Sequence, residues 1–380
     1  AADRLGAAPA WLIVDQDDND PFTFDLPVLD REGVLRAQAV ALAAPPNTSI
    51  PNALRSAASP QPPKPDAQPA LPTVAAGLEA IVESLQRSAA QPSAAAQLTA
   101  ALQALLQPHL PQAPAFPATR IAETDLWSDW LRELGAEPRR AATLYNEAAA
   151  AHPEAGIPAL AIPAEENAIE LPLWRLEQGA PRRRVTRADL SIHHPAAFAP
   201  RALLLTAILR AHACDLFIHG VGGASDDRIT ERWLRSWRNT SLAPQVMVTA
   251  DLRLPLPGAD VTLSDVAAAR WRAHHARHAP DMLGDGPAAA EKRRLLAEIE
   301  YARSANADPA PHFRALHELL ETTRIRHADR LSAFDEAARR THLEAAGALI
   351  ARRRDWPFPF HEPAAISALR AEITRAFEAA

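Results

Sequence analysis

An apolar run that stops at a histidine, then three glycines in four residues and two aspartates, constrains this chain more than any other stretch. It reads Asp215-Leu216-Phe217-Ile218-His219-Gly220-Val221-Gly222-Gly223-Ala224-Ser225-Asp226-Asp227. Leu216 to Ile218 has strand composition, and Arg228 to Trp237 is patterned as a helix. A strand that enters a glycine loop and leaves as a helix turns backbone N–H groups toward one point, which attracts an anion. Glycine suits that loop because a side chain would oppose positive φ or block the ligand's approach. The spacing Gly220-x-Gly222-Gly223 is not the dinucleotide fingerprint, and no Gly-Lys-Ser/Thr follows, so the motif specifies neither a dinucleotide site nor a P-loop.

The segments around the loop alternate between strand and helix, the order expected of an α/β sheet. Trp11 to Val14 is a short apolar run closed by Asp15-Gln16-Asp17-Asp18-Asn19-Asp20. It predicts a buried strand with an acidic loop at its carboxyl end, in one parallel sheet with Leu216 to Ile218. Val34 to Leu42 predicts another strand. Ile169 to Leu176 and Arg182 to Val185 predict a hairpin around Gln178-Gly179, Pro200 to Ala213 a helix, and Gln245 to Leu254 a strand.

Residues 1–44 and 120–260 are therefore expected to form the α/β core. Residues 45–119 are a Pro/Ala-rich insertion: a flexible excursion from Pro45 to Pro72, a helical pair broken at Pro92, and a linker from Pro108 to Pro117. The pair has Val74, Leu78, Ile81, Val82 and Leu85 on one face and Leu98, Leu102, Leu105 and Leu106 on another. Leu126 to Leu134 and Ala141 to Ala151 predict short helices. Residues 261–380 change character, with charged helices over Leu263 to Arg277, Pro287 to Ser304 and Pro311 to Arg353. Phe313, Leu316, Leu320, Leu331, Phe334 and Ala338 recur at heptad-like intervals, which predicts a coiled coil and, through it, a homodimer.

Ligands of open α/β sheets bind beyond the carboxyl ends of the strands, where His219 and Asp15 would both stand. His219 and Asp15 are the candidate catalytic residues, His219 for orienting a ligand or moving a proton and Asp15 for binding a metal or a substrate amine. Gly220, Gly222 and Gly223 would receive an anion through backbone N–H groups. Asp226 and Asp227 would face the ligand or cap the next helix. Arg201 stands alone at a helix start, an unfavourable place for a cation unless it meets an anion. Asp15 and Asp17 are the candidate metal ligands, since divalent cations prefer oxygen, although a solvated acidic turn accounts for most of that loop. His274, His275 and His278 share a helix but lack the glutamate of a zinc motif, and His193-His194 sits before a proline. Arg182-Arg183-Arg184 is a solvated strand end or an anion partner.

The formal charge of −6 and the lack of a basic block argue against nucleic acid. The single cysteine, Cys214, excludes an internal disulfide and a thiolate cluster. No segment is long and apolar enough for a membrane span and no secretory signal is present, so a bacterial cytoplasmic protein is expected. A strand so soon after Ala1 predicts that the natural protein begins further upstream.

The glycine segment resembles the DLFIHGIGGAKYD stretch of an uncharacterised, planctomycete-type family of large bacterial proteins. Leu12-Ile13-Val14-Asp15-Gln16-Asp17, Leu144-Tyr145-Asn146-Glu147 and Glu170-Leu171-Pro172-Leu173-Trp174 with Pro181-Arg182-Arg183-Arg184 are similar in the same order. Ser225-Asp226 stands where that family has Lys-Tyr, and its upstream GHQP segment is absent. The layout resembles, more distantly, the cysteine-adding enzyme of bacillithiol biosynthesis. That resemblance implies a Rossmann-like core with a C-terminal coiled coil. It matches Asp15 and Asp17 to an acidic loop, Gly220, Gly222 and Gly223 to a glycine loop, and Arg201 to an arginine before the helix leading there. The expectation is a small-molecule ligase or transferase that binds a nucleotide or phosphorylated ligand, with a nucleotide or divalent cation as the cofactor such a site admits. The alternative is a non-catalytic ligand-sensing or scaffold protein acting through its coiled coil. An enzyme should gather Asp15, His219 and Arg201 around one cleft.

Overall fold

The computed structural model describes residues 6–44, 49–63, 67–220 and 223–379, with residues 224, 225 and 379 described by backbone alone. Strand β1 (Trp11–Ile13) is where the apolar run predicts it. Strands β2 (Thr23–Leu29) and β3 (Leu35–Ala41) follow as an antiparallel hairpin. Asp30 closes its turn by accepting the N–H groups of Glu32 and Val34 at 3.0 and 2.9 Å, and Gly33 supplies the left-handed φ of +83°. The two-residue strand β4 (Gln68–Pro69) covers the other edge of β2.

The helical pair appears as α1 (Pro72–Arg87) and α2 (Ala94–Leu106). The predicted face of α1 is buried: Val74, Leu78, Val82 and Leu85 pack with Leu26, Val28, Val40 and Phe360. Gly77 is required there, because a Cβ would strike the backbone of Pro359. Residues 49–63 are irregular, as their proline content predicts, but they are docked. Asn52 and Ala53 donate to Asp17 O and Asp15 O at 2.8 Å, and Gln97 bonds both the N–H and the C=O of Ala58. Those bonds replace the free excursion expected from composition; residues 45–48 and 64–66 lie outside the described residues.

A second core is built by α3 (Asp125–Ala136), α4 (Pro138–Ala150), the hairpin β6 (Glu170–Arg175) with β7 (Arg183–Thr186), β8 (Phe198–Pro200) and α6 (Ala202–His212). A short helix, α5 (Asp189–Ile192), follows β7. Trp127, Trp130, Ile169, Leu171, Leu173, Phe198 and Leu204 are buried in this core. Helix α7 (Gly223–Arg238) completes it, with Trp233 donating to Ala141 O at 3.0 Å; strand β9 (Phe217–His219) precedes α7 and β10 (Gln245–Met247) follows it.

The predicted shared sheet is not what forms. β1 pairs in parallel with β5 (Ala115–Pro117), inside the expected linker, and β9 pairs in parallel with β10; these are two separate ribbons. Each lacks a second covering layer. Leu216, Ile218, Val246 and Val248 share one face of the β9–β10 ribbon by register and are all exposed, as is Val14 beyond β1. The fold is mixed α/β, with small parallel ribbons beside antiparallel sheets.

The C-terminal region is a long antiparallel helical hairpin. One arm is α8 (Leu263–Ala276) and α9 (Gly286–Ser304); the other is α10 (Ala310–Arg326) and α11 (Ala328–Ala351). Arg270 meets His342 and Arg277 meets Asp335, so seven residues along one arm match seven back along the other. The register holds to Asp285 with His327 and Glu298 with His312. At 1.5 Å per residue each arm is on the order of 60 Å long. The single helix predicted from Pro311 to Arg353 is broken at His327, whose backbone leaves the helical region while its ring and Arg326 both bond Asp285 at 3.0 Å. The heptad-like stripe therefore divides. Leu316 and Leu320 pack on Leu295 and Ile299, whereas Leu331 packs on Ala276 and Leu283. A last helix, α12 (Pro363–Ala379), follows. No helix among the described residues is long and apolar enough to cross a membrane.

Candidate functional site

His219 is the last residue of β9, and three groups hold its ring. Nδ1 lies 2.8 Å from Gly220 O, and Nε2 lies 2.5 Å from Gln245 Oε1 and 2.7 Å from Asp227 Oδ2. Every one of these partners is an acceptor, so both ring nitrogens are satisfied only when both carry protons. Burial opposes the charged ring, but Gln245, Gly220 and Asp227 outweigh it and raise the pKa above the ordinary histidine value. Gly223 must be glycine for a related reason: a Cβ there would lie 2.5 Å from His219 Nδ1. Gly220 faces open space, and Gly222 lies outside the described residues.

Behind the ring lies a buried network. Asp227 sits between His219 and Arg210 of α6, 3.5 Å from the guanidinium, and Arg210 also bonds Glu231 at 2.5 Å. Burial raises the Asp227 pKa against the pull of Arg210 and His219. Asp227 Oδ2 is buried without a well-formed hydrogen bond. Asp226 is half-buried in the first turn of α7; burial raises its pKa while His219 lowers it. In this arrangement His219 has no free ring nitrogen. It fastens the loop to α7 and β10, and proton transfer to a ligand would require it to release one of those partners.

Arg201 is not a free anion contact. It bonds Glu170 at 2.6 Å and Leu173 O at 3.3 Å, and its guanidinium lies 4.3 Å from the centre of the Trp174 ring. Arg182 takes a like position on Trp174 at 4.6 Å and reaches Asp17 and Asp18, each at 2.9 Å. Arg184 shares Glu170 at 3.4 Å. Arg182, Arg184 and Arg201 are thus balanced by carboxylates. Tyr145 is buried beside them, stacked edge-on against Trp233; burial pushes its pKa up to about 12 although Arg201 pulls it down.

Asp15 is buried and accepts both the N–H and the hydroxyl of Thr119, the N–H at 2.9 Å. Burial raises its pKa against those bonds. It ties the β1 loop to the turn after β5 rather than facing His219. Next to it, Gln16 donates to Pro200 O at 3.2 Å, which joins this loop to the start of α6. Asp17 is held by Arg182, so in this arrangement Asp15 and Asp17 are each engaged by a neighbour. Among the described residues no group of three or more metal-ligating side chains occurs, the histidines of α8 included.

Asp15, His219 and Arg201 share no hydrogen-bond or ion-pair partner among the described residues; Thr119 holds Asp15, Gln245 and Asp227 hold His219, and Glu170 holds Arg201. Arg210, Gln245 and Glu170 were missed as site residues. The polar Arg210 inside the apolar run of α6 was a signal, since an arginine is buried only when paired. Gln245 left no trace, because strand pairing alone brings it to His219. Compared with protein-family models and with curated proteins, the chain matches none.

Proposed function

We propose that the chain is a small-molecule ligase or transferase whose ligand, a nucleotide or phosphorylated compound, binds where β9 passes into α7. In this reading the two parallel ribbons are the outer pairs of a Rossmann-like sheet, and the bare apolar face of the β9–β10 ribbon supports it, since parallel strands are normally covered on both sides. The observation that carries the proposal is the buried His219–Asp227 pair at the carboxyl end of a parallel strand, next to the N-terminus of a 16-residue helix. Groups with displaced pKa values concentrate at such positions when a site uses them. Gly220 offers its backbone N–H group to the phosphate; that of Gly223 donates to Gly220 O at 3.2 Å and is released to the ligand only if that turn opens. Asp226, which no ion pair occupies among the described residues, takes the role of facing a ligand cation or amine in place of Asp15. Calorimetric titration with nucleotides and sugar phosphates, with and without magnesium, tests this. Binding that Asp226→Asn weakens is expected; no binding by any of them removes the reading.

A scaffold or ligand-sensing role, with the two-arm hairpin as a coiled coil joining two chains, is the second reading. It is favoured by the pairing of Asp15, Arg201 and Asp17 with their own neighbours instead of a cleft. Light scattering separates the two: a dimer that Leu320→Asp weakens supports the scaffold.

A further inference from the structure

Neither reading uses the outer face of α8. Between Asp265 and Asp281 the chain has no acidic residue and contains Arg270-Trp271-Arg272-Ala273-His274-His275-Ala276-Arg277-His278. Ala273 and Ala276 are buried in the hairpin seam, while Arg270, Trp271, Arg272, His274, Arg277 and His278 are exposed. Trp271 is 55% exposed and lies nearly flat on His275, ring centres 4.0 Å apart. His275 is itself anchored, Nδ1 to Trp271 O at 3.0 Å, so the indole is a fixed platform. The His274 ring stands 5.5 Å from that of His275 and 5.4 Å from that of His278.

The neighbouring elements add to the positive charge. Lys292 of α9 donates to His278 O at 2.5 Å, and Arg324 of α10 donates to Arg277 O at 3.0 Å. Opposing them are Asp335, paired with Arg277 at 2.6 Å, and Glu321, paired with Arg324 at 2.9 Å; His342 of α11 faces Arg270 at 3.2 Å. Arg272 and His274 make no ion pair among the described residues. Burial, and then Arg324, His274, Lys292 and His275, hold His278 below the ordinary histidine value.

We propose that this face of α8 docks an acidic polypeptide segment. Arg270 and Arg272 flank the Trp271 platform on opposite sides of the helix and present planar forks that suit carboxylates of a segment crossing it, while Trp271 covers the segment's aliphatic stems. Residues 270–278 span only about 12 Å of helix axis, and Asp265 and Asp281 bound them at either end. That footprint fits a few carboxylates and would repel a phosphate backbone running past it. Carboxylates brought against His278 favour its charged form, so docking takes up a proton and weakens as pH rises through the histidine range.

The test is fluorescence anisotropy of a labelled oligoglutamate peptide with the full chain, at about pH 6 and about pH 7.5, either side of the histidine range. Arg272→Glu is expected to weaken binding about tenfold or more, equivalent to 1.4 kcal/mol, and the wild type to bind more weakly at the higher pH. Arg270→Glu gives the same reading if Arg272→Glu fails to fold, as judged by circular dichroism. Absence of binding at the lower pH, or unchanged affinity in the folded variants, overturns the proposal. So does a single-stranded RNA that displaces the peptide more effectively than unlabelled peptide does, because the partner is then nucleic acid.

Discussion

Arg210 and Asp227, on neighbouring helices α6 and α7, hold opposite charges 3.5 Å apart with side chains only 1% and 3% exposed. A pair this deep is bound by the cost of leaving either charge alone. Arg210→Met or Asp227→Leu singly should destabilise the fold by about 3–5 kcal/mol. The double substitution should recover part of that loss, because the two deepest charges are removed together while His219 and the more exposed Glu231 each lose one partner. Urea unfolding of the three variants checks it; losses that simply add would mean the two residues do not act as a pair.

His219 gives the fold a pH dependence of known sign. Its folded pKa lies above the unfolded one, so its contribution is fully present below the ordinary histidine value and is lost as pH rises through the raised value. The stability gap between wild type and His219→Gln should therefore narrow from mildly acidic to mildly alkaline pH. Chemical denaturation across that range measures the gap. A gap that stays constant would show that the ring remains neutral and that Gln245 or Gly220 is wrongly placed as its acceptor.

The two described glycines of the loop should respond oppositely to alanine. Gly223→Ala puts a methyl against the His219 imidazole and should cost about 1–3 kcal/mol through overpacking. Gly220→Ala meets open space and should be tolerated. Thermal melts of both report this directly, and equal losses would remove the steric account of Gly223.

Asp15→Asn should preserve the bond from the Thr119 N–H while removing a buried charge. Its raised pKa means that the contribution of Asp15 is lost as pH climbs through it, so the wild type should lose stability relative to the variant across the mildly acidic range. Chemical denaturation of both measures the difference, and a wild type that gains on the variant over that rise would contradict the burial argument.

Leu320→Asp and Leu331→Asp strike different clusters, one against Leu295 and Ile299 and the other against Ala276 and Leu283. Each should lower the melting temperature, and the effects should add, as they do for sites without shared partners. Strong coupling between them would restore the continuous stripe that the sequence predicts.

What the sequence determined by itself was local. The periodic face of α1, the break near Pro92, the β6–β7 hairpin, and the starts of α8 and α9 all followed from spacing and turn chemistry, which act over a few residues; the leucine face expected of α2 did not, since Ala94, Ala95, Gln97 and Ala101 are its buried residues and Leu102 is exposed. His219 at a strand end before Gly223 was legible for the same reason. Only the tertiary structure decided which groups meet. The apolar composition of Trp11–Val14 and Leu216–Ile218 cannot say which strands pair, because backbone hydrogen bonds are alike in any sheet; the result was two ribbons with β5 and β10. Charge balance was equally hidden. Arg201 looked free at its helix start, but Glu170, 31 residues away in sequence, neutralises it at 2.6 Å. Asp15 looked like a ligand until Thr119, 104 residues away, closed on it. A buried charge is stable only where a distant partner arrives, and that arrival is a property of the packed chain, not of any window along it.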